Sequence, residues 1–151
     1  MHSPLAPLTL SAEDGKIVAL DWGWGRDQEE TPLLLEARTW LDAYFDGEAM
    51  LCRLPLAPYG TPEQIRAWQF MQTIPVGQQV SWQDAARLAN VSTDTIISAC
   101  SENPIPIMIP CHRIDFTGCA QYDPETYPGD EGARDRQFLR DLETLSATPL
   151  L

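Results

Sequence analysis

The chain is poor in basic charge: ten lysines and arginines stand against 22 acids in 151 residues, a net charge of −12. Phosphate contacts supply much of the affinity of nucleic-acid binders, so the total argues against a polyanionic partner. The distribution softens that argument. Residues 1–60 hold ten acids and four bases (net −6), residues 61–113 four and three (net −1), and residues 114–151 eight and three (net −5). The acid is thus concentrated outside the middle segment. Histidine is scarce too. Two histidines, and four cysteines (Cys52, Cys100, Cys111, Cys119) with no Cys-x-x-Cys pair, offer no zinc spacing, and no metal is expected. No apolar run approaches about 18 residues, so no membrane span is expected. The opening Met1-His2-Ser3-Pro4-Leu5-Ala6-Pro7 lacks the basic start and apolar stretch of a secretion signal. There are no internal repeats. What remains is ordinary globular composition, 44% hydrophobic and 21% charged, long enough for one or two small domains with a real core. A cytoplasmic protein with reduced thiols is the plain expectation.

Thr9-Leu10-Ser11 and Lys16 to Trp22 flank Asp14-Gly15, a tight-turn signal between two apolar runs, and predict a hairpin. Trp22 and Trp24, two apart, read as sheet packing. A helix is expected from Thr31, with Pro32 at its first position, Leu33, Leu34, Ala37, Trp40, Leu41, Tyr44 and Phe45 on one face, and Gly47 as its stop. Residues 48–60, with two prolines, read as a surface linker. Thr61-Pro62-Glu63-Gln64 has the form of a capping box opening a helix toward Ile74. Ser81 caps a second helix with Ala85, Ala86 and Leu88 inward, and Asn90 ends it. Ser92 or Thr93 caps a third helix through Ile96, Ile97 and Cys100. Two short helices joined by a tight turn form either a helix-turn-helix or an ordinary helical pair. Residues 123–131 are rich in Pro, Asp and Glu and read as a mobile loop. Gly132 opens a last helix with Phe138, Leu139 and Leu142 inward and Glu143 near its end, before a frayed tail over 146–151.

Between these helices lies Asn103-Pro104-Ile105-Pro106-Ile107-Met108-Ile109-Pro110-Cys111-His112-Arg113-Ile114. Its prolines exclude a helix and force their predecessors extended, so the run reads as a buried strand or extended rod ending at Cys111. A cysteine in such a place is either a small buried hydrophobe or a nucleophile. Only a thiolate reacts, and a neighbouring base or cation generates it; His112 and Arg113 supply both kinds of group.

The run Asn-Pro-x-Pro-x-x-x-Pro-Cys-His-Arg resembles the active-site signature of the O6-alkylguanine-DNA alkyltransferases, also called methylated-DNA–protein-cysteine methyltransferases. The similarity extends upstream through Thr61 to Trp68 and through Ile74-Pro75-Val76-Gly77-x-x-Val80-Ser81-Trp82, and loosely downstream into Arg136-Gln137-Phe138-Leu139. It covers about half of the chain well. The resemblance implies an α/β protein in two parts: a small N-terminal sheet-plus-helix domain over residues 1–55, then a winged helix-turn-helix-like, mostly α domain over 56–151. It implies a single-turnover transfer of an alkyl group from O6-alkylguanine in DNA to Cys111. No cofactor, DNA as partner, no membrane and a monomer are expected with it. In the family the motif histidine takes the thiol proton through a water and a glutamate of the last helix polarises it, roles that fall on His112 and Glu143. Asn103 corresponds to the hinge asparagine. Trp82, Asp94, Arg113 and Tyr122 fall at substrate- or DNA-binding places, Arg113 with an ion-pair role as the alternative.

Several positions depart from the family pattern. Asp94 stands nine residues before Asn103, where the family has an arginine that enters the base stack. Thr95-Ile96-Ile97-Ser98 replaces small residues, Trp82 replaces a tyrosine, and the Tyr-Ser-Gly-Gly loop is interrupted between Tyr122 and Gly132. The alternative to repair is therefore a diverged relative that binds damaged DNA, or senses alkylating or oxidising agents, without repairing duplex DNA.

Overall fold

The structure is a computed structural model. It describes residues 1, 3–5, 7–23, 31–48, 52–129 and 131–147. The expectations for Trp24, for Asp130 in the acidic loop and for the tail over 148–151 fall outside the described residues.

The predicted hairpin is present as β1 (Leu8–Glu13) and β2 (Lys16–Trp22), antiparallel, with Ser11 opposite Ala19, Ala12 opposite Ile17 and a register shift between them. Asp14 (φ 50°) and Gly15 (φ 75°) both take the left-handed conformation that a two-residue turn between right-twisted strands requires. The segment predicted as a surface linker also reaches the sheet. Ile17 N donates to Pro55 O (2.9 Å) and Ala57 N to Ile17 O (2.8 Å), so Leu56 pairs beside β2 and protects its edge. Further along the same strand, Leu20 N donates to Pro104 O (2.8 Å) and fastens the hairpin to the proline-rich run.

Helix α1 (Pro32–Phe45) begins where Thr31 Oγ1 accepts from Leu34 N (3.2 Å). It ends where Gly47 (φ 85°) bonds back to Tyr44 O (3.2 Å) and Glu48 to Ala43 O (2.9 Å), which satisfies two otherwise orphaned carbonyls. Ala37, Leu41 and Tyr44 are its buried face. Helix α2 (Pro62–Met71) carries the full capping box: Gln64 N to Thr61 Oγ1 (3.1 Å) and Thr61 N to Gln64 Oε1 (3.0 Å). It stops at Met71, and the chain reaches Ile74 through a turn. Trp68, fully buried on α2, donates its indole N–H to Ala99 O (2.8 Å) of the helix behind it.

Helices α3 (Trp82–Ala89) and α4 (Thr93–Ser101) are capped by Ser81 and Ser92 and joined through Asn90, which is left-handed at φ 58°, ψ 50°. The inward face of α3 is Ala85, Ala86 and Ala89. Leu88, predicted inward, is 55% exposed, because one helical step of about 100° turns it away from α2 and α4. The same one-residue error in phase affects the last helix, α5 (Ala133–Ala147). Leu139 is fully buried there, whereas Phe138 is 37% exposed. A short parallel pair, β3 (Val80–Ser81) with β4 (Ile114–Asp115), joins the start of α3 to the chain beyond the Cys-His-Arg run. The architecture is thus a small N-terminal sheet with one helix, followed by a helical C-terminal part. One continuous core runs from Leu8 and Ile17 through Tyr44 and Trp68 to Ile109 and Leu139. No helix among the described residues is long and apolar enough to cross a membrane.

Asn90 gives a direct test of the α3–α4 turn. An alanine at a left-handed position costs about 1 kcal/mol relative to asparagine, and glycine costs nothing there. Asn90→Ala should lower the urea midpoint while Asn90→Gly leaves it in place or raises it. Equal loss in both would show that the side chain, and not the conformation, matters.

Candidate active site

The proline-rich run is buried, as its composition predicts, but it is not an extended rod. Ile109 N donates to Ile105 O (2.9 Å), Pro106 bridges Ile109, and Ile107 has φ 75°. The chain folds into a compact turn because Ile105, Ile107, Met108 and Ile109 all have to be enclosed, which a single straight strand at this place does not achieve. A β-branched residue at positive φ costs on the order of 1–3 kcal/mol. Burial of those four apolar side chains offsets this, as do the bonds of Asn103. The Asn103 side chain spans the turn: Oδ1 accepts from Ile105 N (2.9 Å), and Nδ2 donates to Ile109 O (2.8 Å) and to Cys111 Sγ (3.3 Å). Cys111, His112 and Arg113 then form a single 3-10 turn, so the thiol opens a helical turn instead of closing a strand.

That turn aims three consecutive side chains inward. His112 Nε2 is hydrogen-bonded to Glu143 Oε2. Arg113 grips the same carboxylate with two donors, Nε to Oε1 (2.7 Å) and Nη2 to Oε2 (3.0 Å), and gives Nη1 to Ile74 O (2.7 Å). Helix α5 can present Glu143 here because Arg136, Leu139 and Glu143 recur at helical spacing on its buried face. Tyr44, from α1 of the N-terminal part, adds a fourth group: its hydroxyl donates to Glu143 Oε2 (2.5 Å) and lies 3.4 Å from His112 Nε2. Gly77 N approaches Oε1 at 3.4 Å.

Electrostatics follow from this packing. Burial pushes the Glu143 carboxyl up, but the hydrogen bonds and charges of His112 and Arg113 outweigh it and hold the group well below the carboxylate range. Burial lowers His112 more strongly than its bond to Glu143 raises it. The imidazole is therefore neutral, with its proton on Nε2 toward Glu143. Its other nitrogen, Nδ1, is buried and has no hydrogen-bond partner among the described residues, which leaves a lone pair available. The Cys111 thiol is held below its ordinary value. A hydrogen bond from the Cys100 side chain is the largest cause; Asn103 and the Arg136 guanidinium add to it against the cost of burial. Arg136 is buried, donates to Ile114 O (2.6 Å), and lies over the stacked rings of Phe116 and Tyr122.

The other predicted positions are dispersed. Arg113, placed by the resemblance among DNA-binding residues, is turned inward with its donors committed to Glu143 and Ile74, so the ion-pair alternative describes it. Tyr122 stacks on Phe116 with centroids 3.7 Å apart. Trp82 is half-buried at the start of α3 and donates to Thr117 O (3.2 Å). Asp94 is exposed in the first turn of α4. Two residues were missed by sequence reasoning. Tyr44 lies too far away in sequence for any motif to find it. Tyr127 is buried, its hydroxyl has no partner among the described residues, and burial and then the Cys111 charge push its ionisation upward. Tyr127-Pro128-Gly129 is a nearer match to Tyr-Ser-Gly-Gly than the sequence around Tyr122 is, and that spacing was the available signal. No cluster of metal-ligating side chains occurs among the described residues.

A buried thiol stands next in sequence to an imidazole whose Nδ1 is unpartnered and whose Nε2 is held by a buried carboxylate, with a pair of short helices packed before it. Residues 62–143 match the family model described as 6-O-methylguanine DNA methyltransferase, DNA binding domain, and residues 1–58 match the model of its ribonuclease-like domain. The chain is 35% identical over 128 residues to the constitutive methylated-DNA–protein-cysteine methyltransferase of Bacillus subtilis, covering 75% of this chain and 76% of that one. It is 33% identical over 126 residues to the Mycobacterium leprae methylated-DNA–protein-cysteine methyltransferase, covering 76% and 74%. A crystal structure of Mycobacterium tuberculosis OGT in complex with DNA superposes with a TM-score of 0.78 at 27% identity, covering 97% of this chain and 92% of that one. The chain belongs to the 6-O-methylguanine DNA methyltransferase family.

The buried His112–Glu143 pair makes stability depend on pH. Both groups have folded values below their ordinary ones of 6.5 and 4.5, so the unfolded chain binds more protons at acidic pH. Their contribution is complete above 6.5 and is lost as pH falls, first through the histidine range and then through the carboxylate range. Urea midpoints measured from about pH 8 down to about pH 4 should fall in these two stages, and His112→Gln should remove the upper one. A flat profile above pH 5 would contradict the neutral assignment of His112.

Proposed function

We propose that the chain repairs O6-alkylguanine in DNA, as a cytoplasmic monomer, by moving the alkyl group to Cys111 in one turnover. The observation that carries this reading is the unpartnered Nδ1 of His112, buried next to the nucleophile in sequence while Nε2 is held by Glu143. The alkylated base is stacked in the duplex and has to be extruded to reach a buried thiol. His112 Nδ1 accepts the Cys111 proton through one water, and Glu143 stabilises the imidazolium that forms. Asn103 and Arg136 stabilise the thiolate. Its sulfur attacks the alkyl carbon, the carbon–oxygen bond breaks, and the electron pair leaves with the guanine oxygen, which takes up a proton. The thioether is not readily hydrolysed, so each molecule acts once, and the reaction consumes no cofactor. Arg113 and Tyr44 are positioning residues that hold Glu143.

In this reading the domain boundary falls between residues 55 and 56, close to where the two matched family segments meet, and α3–α4 is a helix-turn-helix within a winged DNA-binding domain. Mixing the protein with a methylated oligonucleotide should add one methyl group by mass spectrometry, mapped to Cys111 and absent in Cys111→Ala. Retention of the oligonucleotide with no mass change would select the damaged-DNA binder instead.

Affinity for duplex should be low. In residues 61–113 the bases are Arg66, Arg87 and Arg113. Arg113 is buried, Arg66 reaches Asn90 O at 3.4 Å, and Arg87 pairs with Asp84 at 3.3 Å. Two exposed cations imply a salt slope on the order of −2 in log–log terms. The first-turn amides of α4 can add phosphate contacts, but Asp94 sits beside them. Asp94→Arg changes the charge by two and should strengthen binding to methylated duplex by about 1–2 kcal/mol and speed transfer. Transfer rates against salt for both proteins decide it: equal rates would show that Asp94 is not at the point of closest approach.

A further inference from the structure

Cys100 is not a reacting group in the alkyl-transfer scheme, yet it lies directly against Cys111. The Cys100 thiol donates to Cys111 O and the Cys111 thiol to Cys100 O, each at 3.8 Å, so the two side chains lie antiparallel in the same buried space. The other two cysteines are placed differently: Cys119 donates to Gln121 Oε1 at 3.6 Å, and Cys52 lies in the segment after α1. Cys100 is in the last turn of α4 and Cys111 opens the 3-10 turn, with nine residues (102–110) between the two elements.

We propose that Cys100 is a resolving thiol, a modification site that forms a reversible disulfide with Cys111 when a hydroperoxide oxidises the nucleophile. The Cys111 thiolate attacks one peroxide oxygen; the sulfur–oxygen bond forms, the oxygen–oxygen bond breaks, and the leaving hydroxide takes a proton to become water or an alcohol. Cys111 is then a sulfenic acid, oxidised by two electrons, and the peroxide is reduced by two. The Cys100 sulfur attacks the Cys111 sulfur, its proton leaves with the displaced hydroxide as water, and the sulfur–sulfur bond closes. An irreversible single-use nucleophile is thereby kept from over-oxidation before it meets its substrate. The disulfide withdraws Cys111 Sγ from Asn103 and from alkyl transfer, and a thiol reductant restores both.

The inference rests on the two thiols and is tested without relying on alkyl transfer. The protein is treated with hydrogen peroxide, digested without reduction and mapped by mass spectrometry. A Cys100–Cys111 cross-linked peptide, two hydrogens lighter than its parts, is expected, and dithiothreitol should reverse it. In Cys100→Ala the same treatment should carry Cys111 to the sulfinic acid. After reduction that variant should show on the order of tenfold less thiol at Cys111 than the wild type. Should the variant not fold, the wild-type map decides alone. Cys111 sulfinic acid with Cys100 still reduced, a bond to Cys52 or Cys119 instead, or two unmodified thiols would each overturn the proposal.

Discussion

A single buried carboxylate organises the molecule. Glu143, on α5, receives two donors from Arg113 and one from His112, both on the Cys-His-Arg turn, and one from Tyr44 of the N-terminal helix. Removing any one element would leave a charge in a dry interior, at a cost of about 3–5 kcal/mol for a broken buried pair. The interaction is therefore more than a local feature of the site. It is the point at which the small sheet-and-helix part is locked to the helical part, and Cys111 lies next to that lock in sequence.

This arrangement ties the N-terminal part to the Cys-His-Arg turn. Its tyrosine fixes the carboxylate that fixes the imidazole, and its strand β2 holds Pro104 through Leu20. The hairpin edge, the Pro55–Ala57 segment and α1 close one continuous core around the proline-rich turn. Burial then has opposite effects on neighbouring groups. It keeps His112 neutral, so a lone pair is free, while Cys100 first, then Asn103 and Arg136, supply the Cys111 sulfur with the stabilisation that solvent would otherwise give.

The surface follows a different logic. The acid that dominates the net charge lies mostly outside residues 61–113, and that segment is near neutral. Its two exposed arginines are engaged with Asn90 and Asp84, and the first turn of α4 carries an aspartate. Binding to a polyanion on such a face would rely on helix amides and shape more than on side-chain charge, unlike the interior, where Arg113 and Glu143 are directly paired.

Local chemistry was legible from residues alone. Asp14-Gly15, the Thr61 capping box, Pro32 at the head of α1, Asn90 between two helices and the serine caps each encode a conformation within four residues, and each forms. The neighbours of Cys111 were legible too, because Asn103, His112 and Arg113 are close to it in sequence, and the family resemblance pointed to Glu143. Tertiary structure decided the rest. Helical phase read from apolar residues alone errs by one step where apolar residues are adjacent or few, which misplaced Leu88 and Phe138. Proline forbids helix without prescribing a straight strand, so the compact turn with Ile107 at positive φ depended on what had to be enclosed. Tyr44 meets Glu143 across 99 positions, Arg113 turns inward because that carboxylate is there, and Cys100 meets Cys111 because α4 ends against the 3-10 turn. Contacts of that kind depend on packing in three dimensions, and no periodicity or spacing along the chain records them.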